Sequence, residues 1–393
     1  MALQWPGRQL ARWLAWWLLG VLVVVTGVLP PDDFAALAWR VGPILGFVAS
    51  ITVVVELATS AGLFDVVGDR IAAWGRHTGW LIWLLVVGAA TVSTAFLSLD
   101  TTAVVLTPIV VLLARKASMS PLPFALTTVW LANTASVLLP VSNVTNLLAW
   151  HRWPVHPIGF AGAMWAPFVV GVALPAALVW LLYRRRLAHR YSPPPRHVAA
   201  DKPLLVTSGT VVAALLPALV SGVPVWIPST AAAVLLTAAF AVRRPGTLRP
   251  ALIPWRAVSI AAVLFIVVQA AAAHGLTTAV LTLAGTGNGY PELLRLAGVA
   301  ALAANVVNNL PAYLALEPAA GTPIRLGALL IGVNLGAIVT PWASLAVLLW
   351  HERVASLGVR MSWRRYSLVG LGLTVVLVPA AVGALWLAHG LPG

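Results

Sequence analysis

Charge and cysteine are what this chain has least of. Charged residues make up 9% of its 393 residues, against roughly 25% in soluble domains. The lack of cysteine excludes disulfides, thiolate metal sites and thiol chemistry. Hydrophobic residues make up 61%, and apolar runs of the roughly 20 residues that a bilayer-spanning helix needs recur from end to end. The composition predicts an all-α polytopic membrane protein, placed in the plasma (inner) membrane.

Basic residues outnumber acidic ones, with 24 Lys and Arg against 10 Asp and Glu. They fall in short loops between apolar runs, where the positive-inside rule accounts for them. The expected partner is therefore the lipid bilayer, and no nucleic-acid partner is expected. Three basic loops, 183–202, 243–256 and 353–365, are predicted to lie in the cytoplasm, and the N-terminus is expected there too.

These loops predict a path for the chain. Segment 80–115 has cytoplasmic Arg76 and Lys116 on its two sides, so it should enter and leave on one face as a re-entrant hairpin with Asp100 at its tip. The predicted organisation is an N-terminal transmembrane segment (1–36), a first repeat (37–183), a basic linker with a connecting helix pair (184–256) and a second repeat (257–393).

Three short matches support two repeats. They pair VVELATSAGL (54–63) with VVQAAAAHGL (267–276), LDTTA (99–103) with NNLPA (308–312), and ANTASVLLP (132–140) with VNLGAIVTP (333–341). Following the basic loops, the second hairpin, 290–318, enters from outside. The repeats are therefore predicted to be inverted, each with a re-entrant helical hairpin and a broken transmembrane helix. Such architectures bind substrate and coupling ions near the membrane midplane.

Only two acidic residues, Glu56 and Asp100, lie within apolar segments. A charge at the bilayer centre costs about 2.5–3.5 kcal/mol or more, so such residues usually pair, titrate or bind ions. No basic residue lies near Asp100 before Arg115, which predicts that Asp100 binds a proton or sodium. The alternative is that it caps a helix starting at Thr101. Glu56 is the weaker coupling candidate, expected on a scaffold helix beside a polar group.

Uncharged polar residues cluster where proline interrupts spanning segments. Pro140 and Pro341 free backbone carbonyls, and Gly332 and Gly336 are expected to loosen the second break. The alternative is that these side chains join helices, as expected for Thr145 and Asn146. The predicted substrate-binding residues are Thr101, Thr102, Asn133, Thr134, Ser136, Ser142, Asn143, Asn308, Asn309, Asn334, Thr340 and Ser344.

The chain resembles the arsenical pump membrane protein (ArsB) family of the ion transporter superfamily, which also holds NhaD-type antiporters and sodium-coupled dicarboxylate carriers. The resemblance rests on LDTTAVVLTPIV, ANTASVLLPVSNVTNLL, NNLPAYLAL and GVNLGAIVTPWASLAVLLWHE, and runs from about Phe47 to Leu387. Leu99, Asp100 and Thr101 stand where the family has Asn-Asp-Gly, and Ala337 and Ala343 stand where it has Pro and Gly.

The resemblance implies efflux of arsenite or antimonite driven by proton entry, with no cofactor and no bound metal. Arsenite near neutral pH is an uncharged trihydroxide, which a site of Ser, Thr and Asn would hold by hydrogen bonds. A homodimer and a soluble ATPase partner stay open. So do sodium/proton antiport and sodium-coupled organic-anion transport. An enzyme is not expected, because no convergent His, Glu, Ser or metal cluster occurs; a channel suits inverted hairpins less well than a carrier.

Overall fold

The computed structural model describes residues 17–188, 190–191 and 201–390. This part of the chain is helical and contains no β-strand, only an isolated antiparallel bridge between Thr78 and Arg190. Within it, eight helices are long and apolar enough to cross a membrane. The predicted all-α polytopic architecture is confirmed.

The helices of the first half include two hairpin arms and an interrupted segment. In chain order, the helical segments are 17–25, Pro31–Ser60, Leu63–Trp74, Gly79–Leu97, Leu99–Thr101, Thr102–Leu106 (a π turn), Thr107–Lys116, Pro121–Thr134, Ala135–Val137 and Pro140–Ser142 (both 3₁₀), Val144–Arg152 and Pro157–Leu187. Proline stands in the first turn of several of these helices, where its missing N–H costs no intrahelical hydrogen bond.

A connecting pair of helices, Lys202–Leu219 and Trp226–Arg243, precedes the second half. The remaining helical segments are Pro245–Thr247 and Pro250–Leu252 (both 3₁₀), Trp255–Ala271, Ala272–Leu276 (π), Thr277–Ala284, Tyr290–Val307, Asn309–Leu316, Glu317–Ala319 (3₁₀), Pro323–Leu330, Ile331–Leu335 (π), Leu345–Ser356 and Trp363–Gly390. Both halves run in the same order: a span, a short helix, a hairpin, a broken helix and a further span.

The two hairpins occupy the predicted segments. The first hairpin is Gly79–Leu97 with 99–116, and the second is Tyr290–Val307 with Asn309–Leu316. The first turn lies at Ser98 (φ 102°, ψ 159°), and the second lies at Asn308 (φ 100°, ψ 154°). The near-identical left-handed geometry makes these two residues equivalent.

The prediction that Asp100 forms the first tip was wrong by two residues. The Ser98 hydroxyl accepts a hydrogen bond from the Thr101 N–H (3.4 Å), so the helix begins at Leu99. Asp100 therefore lies in the first helical turn and is not the cap. The alternative that Asp100 caps a helix starting at Thr101 was also wrong.

Two further backbone pairs recur in the two halves. Gly62 and Gly275, which the sequence comparison aligned, both adopt left-handed conformations (φ 85° and 98°) that favour glycine. Asn143 and Ser344 precede the second segments of the broken helices with matching extended backbones (φ −155°, ψ 149° and φ −146°, ψ 143°). Together with the hairpin turns, these pairs place equivalent geometry at three successive points of each half.

The halves exchange segments at their centre. Leu345–Ser356, from the second broken helix, packs against the outgoing arm of the first hairpin. In return, Val144–Arg152, from the first broken helix, packs against Asn309–Leu316 of the second hairpin. The spans Pro157–Leu187 and Trp363–Gly390 pack against each other. This reciprocal packing brings the breaks of both halves into one core.

The predicted domain boundaries relate to these helices in two places. The boundary at residue 36 falls inside Pro31–Ser60, which packs against both helices of the connecting pair. Most of the proline-containing linker, 192–200, lies outside the described residues. Just before it, the hydroxyl of Tyr191 donates to the carbonyl of Ala72 (2.6 Å), which ties the start of the linker to the short helix Leu63–Trp74.

Candidate functional site

Asp100 lies two residues after the turn of the first hairpin. Its helical turn, Leu99–Thr101, packs against Pro121–Thr134 of the first broken helix and Leu345–Ser356 of the second. The Oδ1 atom is buried and has no hydrogen-bond partner among the described residues. A buried carboxylate without a countercharge is stable only if it binds a proton or a cation. The local geometry thus leaves one titratable oxygen available to a ligand.

Hydroxyl groups join the two arms of the first hairpin next to this turn. Thr94 donates to Thr102 (2.9 Å), and Thr102 donates to Ser93 (2.9 Å). The hydroxyls of Thr107 and Thr128 are 2.8 Å apart, which joins the hairpin to the first broken helix. Of the predicted substrate residues here, Thr101 donates to the carbonyl of Leu97 (2.8 Å), and Thr102 belongs to the hydroxyl chain. Both therefore support the hairpin.

The first break is bonded directly to the second repeat. The Asn143 amide donates to Asn334 Oδ1 (2.8 Å), as does the Thr145 hydroxyl (3.1 Å), and Asn334 donates to Asn146 Oδ1 (3.2 Å). The Ser142 hydroxyl donates to the carbonyl of Ala95 in the first hairpin (2.8 Å). The predicted residues Asn143 and Asn334 thus meet, and the structure adds Thr145 and Asn146 to them.

Asn146 also holds the break itself together. Its amide donates to the carbonyls of Ser136 (2.6 Å) and Leu139 (2.9 Å), which lie in the interruption. The expectation that Asn146 joins helical segments agrees with these bonds. Asn143 also accepts from the Thr145 N–H (3.3 Å), so it caps Val144–Arg152.

The second break depends on a residue that sequence reasoning missed, Asn305. Its Oδ1 accepts from the backbone N–H groups of Val339 (3.1 Å) and Thr340 (2.9 Å), and its amide donates to the carbonyl of Gly336 (2.7 Å). The predicted residue Thr340 donates its hydroxyl to the carbonyl of Asn305 (2.8 Å). An asparagine inside the apolar run AALAANVV was the available signal.

The other predicted residues of the second repeat fix the same junction. Asn308 donates to the carbonyl of Trp342 (2.9 Å), and the Asn309 N–H donates to the carbonyl of Ala343 (2.8 Å). Ser344 is fully buried and caps the following segment by accepting from the Ala346 N–H (3.2 Å). These groups hold the tip of the second hairpin against its own broken helix.

Gly332 and Gly336 do more than loosen the second break. A Cβ atom added at Gly332 would lie 2.6 Å from Cβ of Ala300 and would also contact the carbonyl of Ala297. One added at Gly336 would collide with Ala301. Both glycines therefore permit the second hairpin to approach its broken helix closely, which the sequence interpretation did not include.

Asn133, Thr134 and Ser136 lie at the end of the first segment of the first broken helix. All three are buried. Asn133 donates to the carbonyl of Val129 (2.9 Å), and Ser136 donates to the carbonyl of Asn133 (2.7 Å). Asn133 Oδ1 and Thr134 Oγ1 have no partner in the described part of the chain.

Glu56 is not brought to this core. It is half-buried on Pro31–Ser60 and makes no hydrogen bond or ion pair with the described residues, so the expected polar partner is not seen. A different acid, Glu317, is paired: it contacts Arg40 in an ion pair and accepts from the Tyr313 hydroxyl (3.0 Å). Arg40 and Glu317 border a cavity of about 420 Å³, and Asp100 is not among the residues that line this cavity.

Hydrogen bonding is the chemistry that the uncharged side chains at the two breaks offer. Carbonyl and amide oxygens at the two breaks accept, and the hydroxyls of Thr and Ser both donate and accept. The described residues contain no group of three His, Cys, Asp or Glu side chains that could hold a metal ion.

Comparison with known proteins agrees with this architecture. A family model described as citrate transporter (CitMHS) matches residues 2–325. An arsenical pump membrane protein of Escherichia coli K12 is 26% identical over 93% of this chain and 91% of its own length. The silicon efflux transporter LSI3 of Oryza sativa is 30% identical over 43% of this chain and 35% of its own. The YdaH transporter structure of Alcanivorax borkumensis superposes with a TM-score of 0.52 at 17% identity, covering 93% and 91% of the two chains.

Proposed function

The chain belongs to the citrate transporter family, CitMHS, and we propose that this multi-pass membrane transporter exports arsenite or antimonite in exchange for protons. The observation that carries the proposal is the buried, unpartnered Oδ1 of Asp100 between the two broken helices. The similarity of this chain to an arsenical pump membrane protein, over most of both chains, supports the choice of arsenite or antimonite as the solute.

Asp100 supplies the coupling in this proposal. When it is protonated, its turn can stay closed between the two broken helices, because a neutral carboxyl group costs less to bury than a charged one. When it is ionised, it must gain water, a cation or a hydrogen-bonding solute. Proton binding from outside and solute binding from the cytoplasm therefore alternate at one site.

Inverted repeats would make this site accessible from either face. From the start of Pro31–Ser60 to the start of Trp255–Ala271, the chain passes through one span, one broken helix, another span and the connecting pair. If each hairpin re-enters on one face, these are five crossings, and an odd number places the repeats in opposite orientations. The N-terminus then lies in the cytoplasm if residues 1–36 cross once.

The test is arsenite accumulation in sensitive cells that express the wild type, Asp100→Asn or Asp201→Asn, with and without a protonophore. Asp201 is the matched control, because it is an acid at a surface ion pair with Arg243 (3.2 Å). We expect the wild type and Asp201→Asn to lower accumulation only with a proton gradient. Asp100→Asn should not lower it, although it reaches the membrane. Wild-type export by Asp100→Asn would contradict the proposal.

A second candidate is sodium-coupled transport of an organic anion. The family model is described as a citrate transporter, which favours an organic anion as the solute. It predicts citrate uptake that depends on sodium and on Asp100. Sodium/proton antiport, which the resemblance left open, predicts sodium flux without any organic solute.

A homodimer and a soluble ATPase partner also belong to the proposal. Cross-linking tests the homodimer, and adding or removing the ATPase in cells tests the ATPase partner.

A further inference from the structure

Asn133 and Asn334 occupy equivalent positions in the two repeats. Each lies seven residues before the proline of its break, Pro140 or Pro341, and each is only 1% exposed to solvent. Their hydrogen-bonding environments are nevertheless different.

Asn334 is fully partnered by the opposite repeat. Both bonds to its Oδ1 come from Asn143 (2.8 Å) and Thr145 (3.1 Å), and its amide donates to Asn146 (3.2 Å). All three partners belong to the start of the second segment of the first broken helix. The Oδ1 acceptor of Asn334 is therefore fully used while this junction is closed.

Asn133 lacks the equivalent partners. The positions that correspond to 143, 145 and 146 in the second repeat are Ser344, Ala346 and Val347. The Ser344 hydroxyl is used for capping, and the other two side chains are apolar. Asn133 Oδ1 is left without a partner among the described residues.

Two more unpartnered groups lie in the same helical turn. Trp130 Nε1 and Thr134 Oγ1 are buried without a partner in the described part of the chain. Residues 130, 133 and 134 have the i, i+3, i+4 spacing that places side chains on one face of a helix. This helix also packs against the turn that carries Asp100.

We propose that Trp130, Asn133 and Thr134 form the specificity face of the substrate site and select an uncharged, polyhydroxylated solute over a carboxylate. This inference rests on the proposed transport function. It adds Trp130 to the predicted residues and assigns the solute contact to the first repeat rather than to both.

The chemistry of the free atoms carries the selection. The indole N–H only donates, the amide Oδ1 only accepts, and the threonine hydroxyl does both. Asp100 Oδ1 adds an acceptor when ionised. A hydroxylated solute offers a donor and an acceptor from each O–H group and can match this set. A carboxylate group brings only acceptors. Citrate carries three such groups and one hydroxyl, so it has a single donor to offer this face and brings negative charges like that of ionised Asp100.

The test is calorimetric binding to the full chain in detergent, with arsenite at neutral pH and citrate as the two probes. Trp130→Phe removes the free N–H, and Thr134→Val removes the free hydroxyl at nearly constant volume. Trp350→Phe is the matched control, because its equally buried indole N–H already donates to the carbonyl of Ala125 (2.7 Å).

We expect each of the first two substitutions to weaken arsenite binding about 3- to 10-fold, the effect of one hydrogen bond. The thermal midpoint without solute should hold or rise, because a buried unpartnered polar atom is removed. Trp350→Phe should lower the thermal midpoint and leave the arsenite affinity unchanged.

Unchanged arsenite affinity in both Trp130→Phe and Thr134→Val would overturn the inference even if cells export arsenite. Tighter binding of citrate than of arsenite by the wild type would overturn the selection itself. Failure of export by the wild type in cells would instead refute the proposed function.

Discussion

The two hairpins have the same backbone geometry at their turns, but acidic residues lie at different places relative to these turns. Ser98 and Asn308 turn the chain with the same dihedral angles, yet Asp100 follows the first turn and the hydrophobic Leu310 stands at the equivalent point of the second. The buried acid of the second half, Glu317, comes directly after the outgoing arm, at the end far from the turn.

The acids also differ in their partners. Asp100 Oδ1 has none among the described residues, whereas Glu317 is bonded to Arg40 and Tyr313. Arg40 belongs to Pro31–Ser60, so the Glu317 pair joins the second hairpin to the helix that packs on the connecting pair. Repeated backbone geometry therefore does not repeat side-chain chemistry: an unpartnered carboxylate follows the first turn, and an ion-paired carboxylate follows the second hairpin.

The largest expected effect on stability comes from removing the paired acid. Glu317→Ala leaves the Arg40 guanidinium and the Tyr313 hydroxyl without their acceptor, so we expect a loss of about 3 kcal/mol, the lower end of the range for broken buried pairs. Asp100→Asn removes a carboxylate whose buried Oδ1 has no partner among the described residues, so the free energy of unfolding should hold or rise. Denaturant unfolding in detergent measures both.

An Arg40→Gln, Glu317→Ala double variant provides the control for this prediction. It should lose less stability than the sum of its single variants, because no charge is left without a partner. Equal losses for Glu317→Ala and Asp100→Asn would contradict the distinction between a structural acid and a titratable one.

The sequence predicted the hairpins well because charge fixes their ends. The positive-inside rule predicts Arg76 and Lys116 on one side of the membrane, and segment 80–115 between them matches the observed arms within one residue at each end. The turn itself was misplaced, because a serine at positive φ gives no signal in the sequence. A one-residue shift in the repeat alignment followed from this error, since Ser98 and not Leu99 is equivalent to Asn308.

The candidate site was predicted in part. Asn143 and Asn334 were identified from their positions at breaks, but their contact spans 191 residues and depends on how the halves exchange segments. Asn305 was missed because it lies inside an arm rather than at a break. The free Oδ1 of Asn133 was not predictable, because it depends on Ala346 and Val347 standing where the first repeat has Thr145 and Asn146.

The close packing of the second hairpin gives the next prediction. Gly332→Ala should destabilise the protein by about 2 kcal/mol, because the new methyl group would lie 2.6 Å from Cβ of Ala300 and the core must shift. The matched control is Gly298→Ala, since a Cβ atom there meets nothing within 4 Å; it should be neutral or stabilise the helix by up to about 1 kcal/mol. The first repeat has Leu131 at the position of Gly332, so its hairpin packs without this constraint. Thermal unfolding that ranks the two variants in the reverse order would show that the second hairpin is not held this closely.

The smallest effect separates the two capping residues, Asn143 and Ser344. Both begin the second segment of a broken helix, so replacing either by Ala should cost about 1 kcal/mol for the lost cap. Asn143→Ala should cost about 1 kcal/mol more, because its amide also donates to Asn334 across the repeats. A double-mutant cycle of Asn143→Ala with Asn334→Ala, measured by denaturant unfolding, should therefore give a coupling energy. The equivalent cycle of Ser344→Ala with Asn133→Ala should give none, because Asn133 Oδ1 has no partner among the described residues. Equal coupling at both positions would mean that the repeats join symmetrically, and Asn133 would then have partners as Asn334 does.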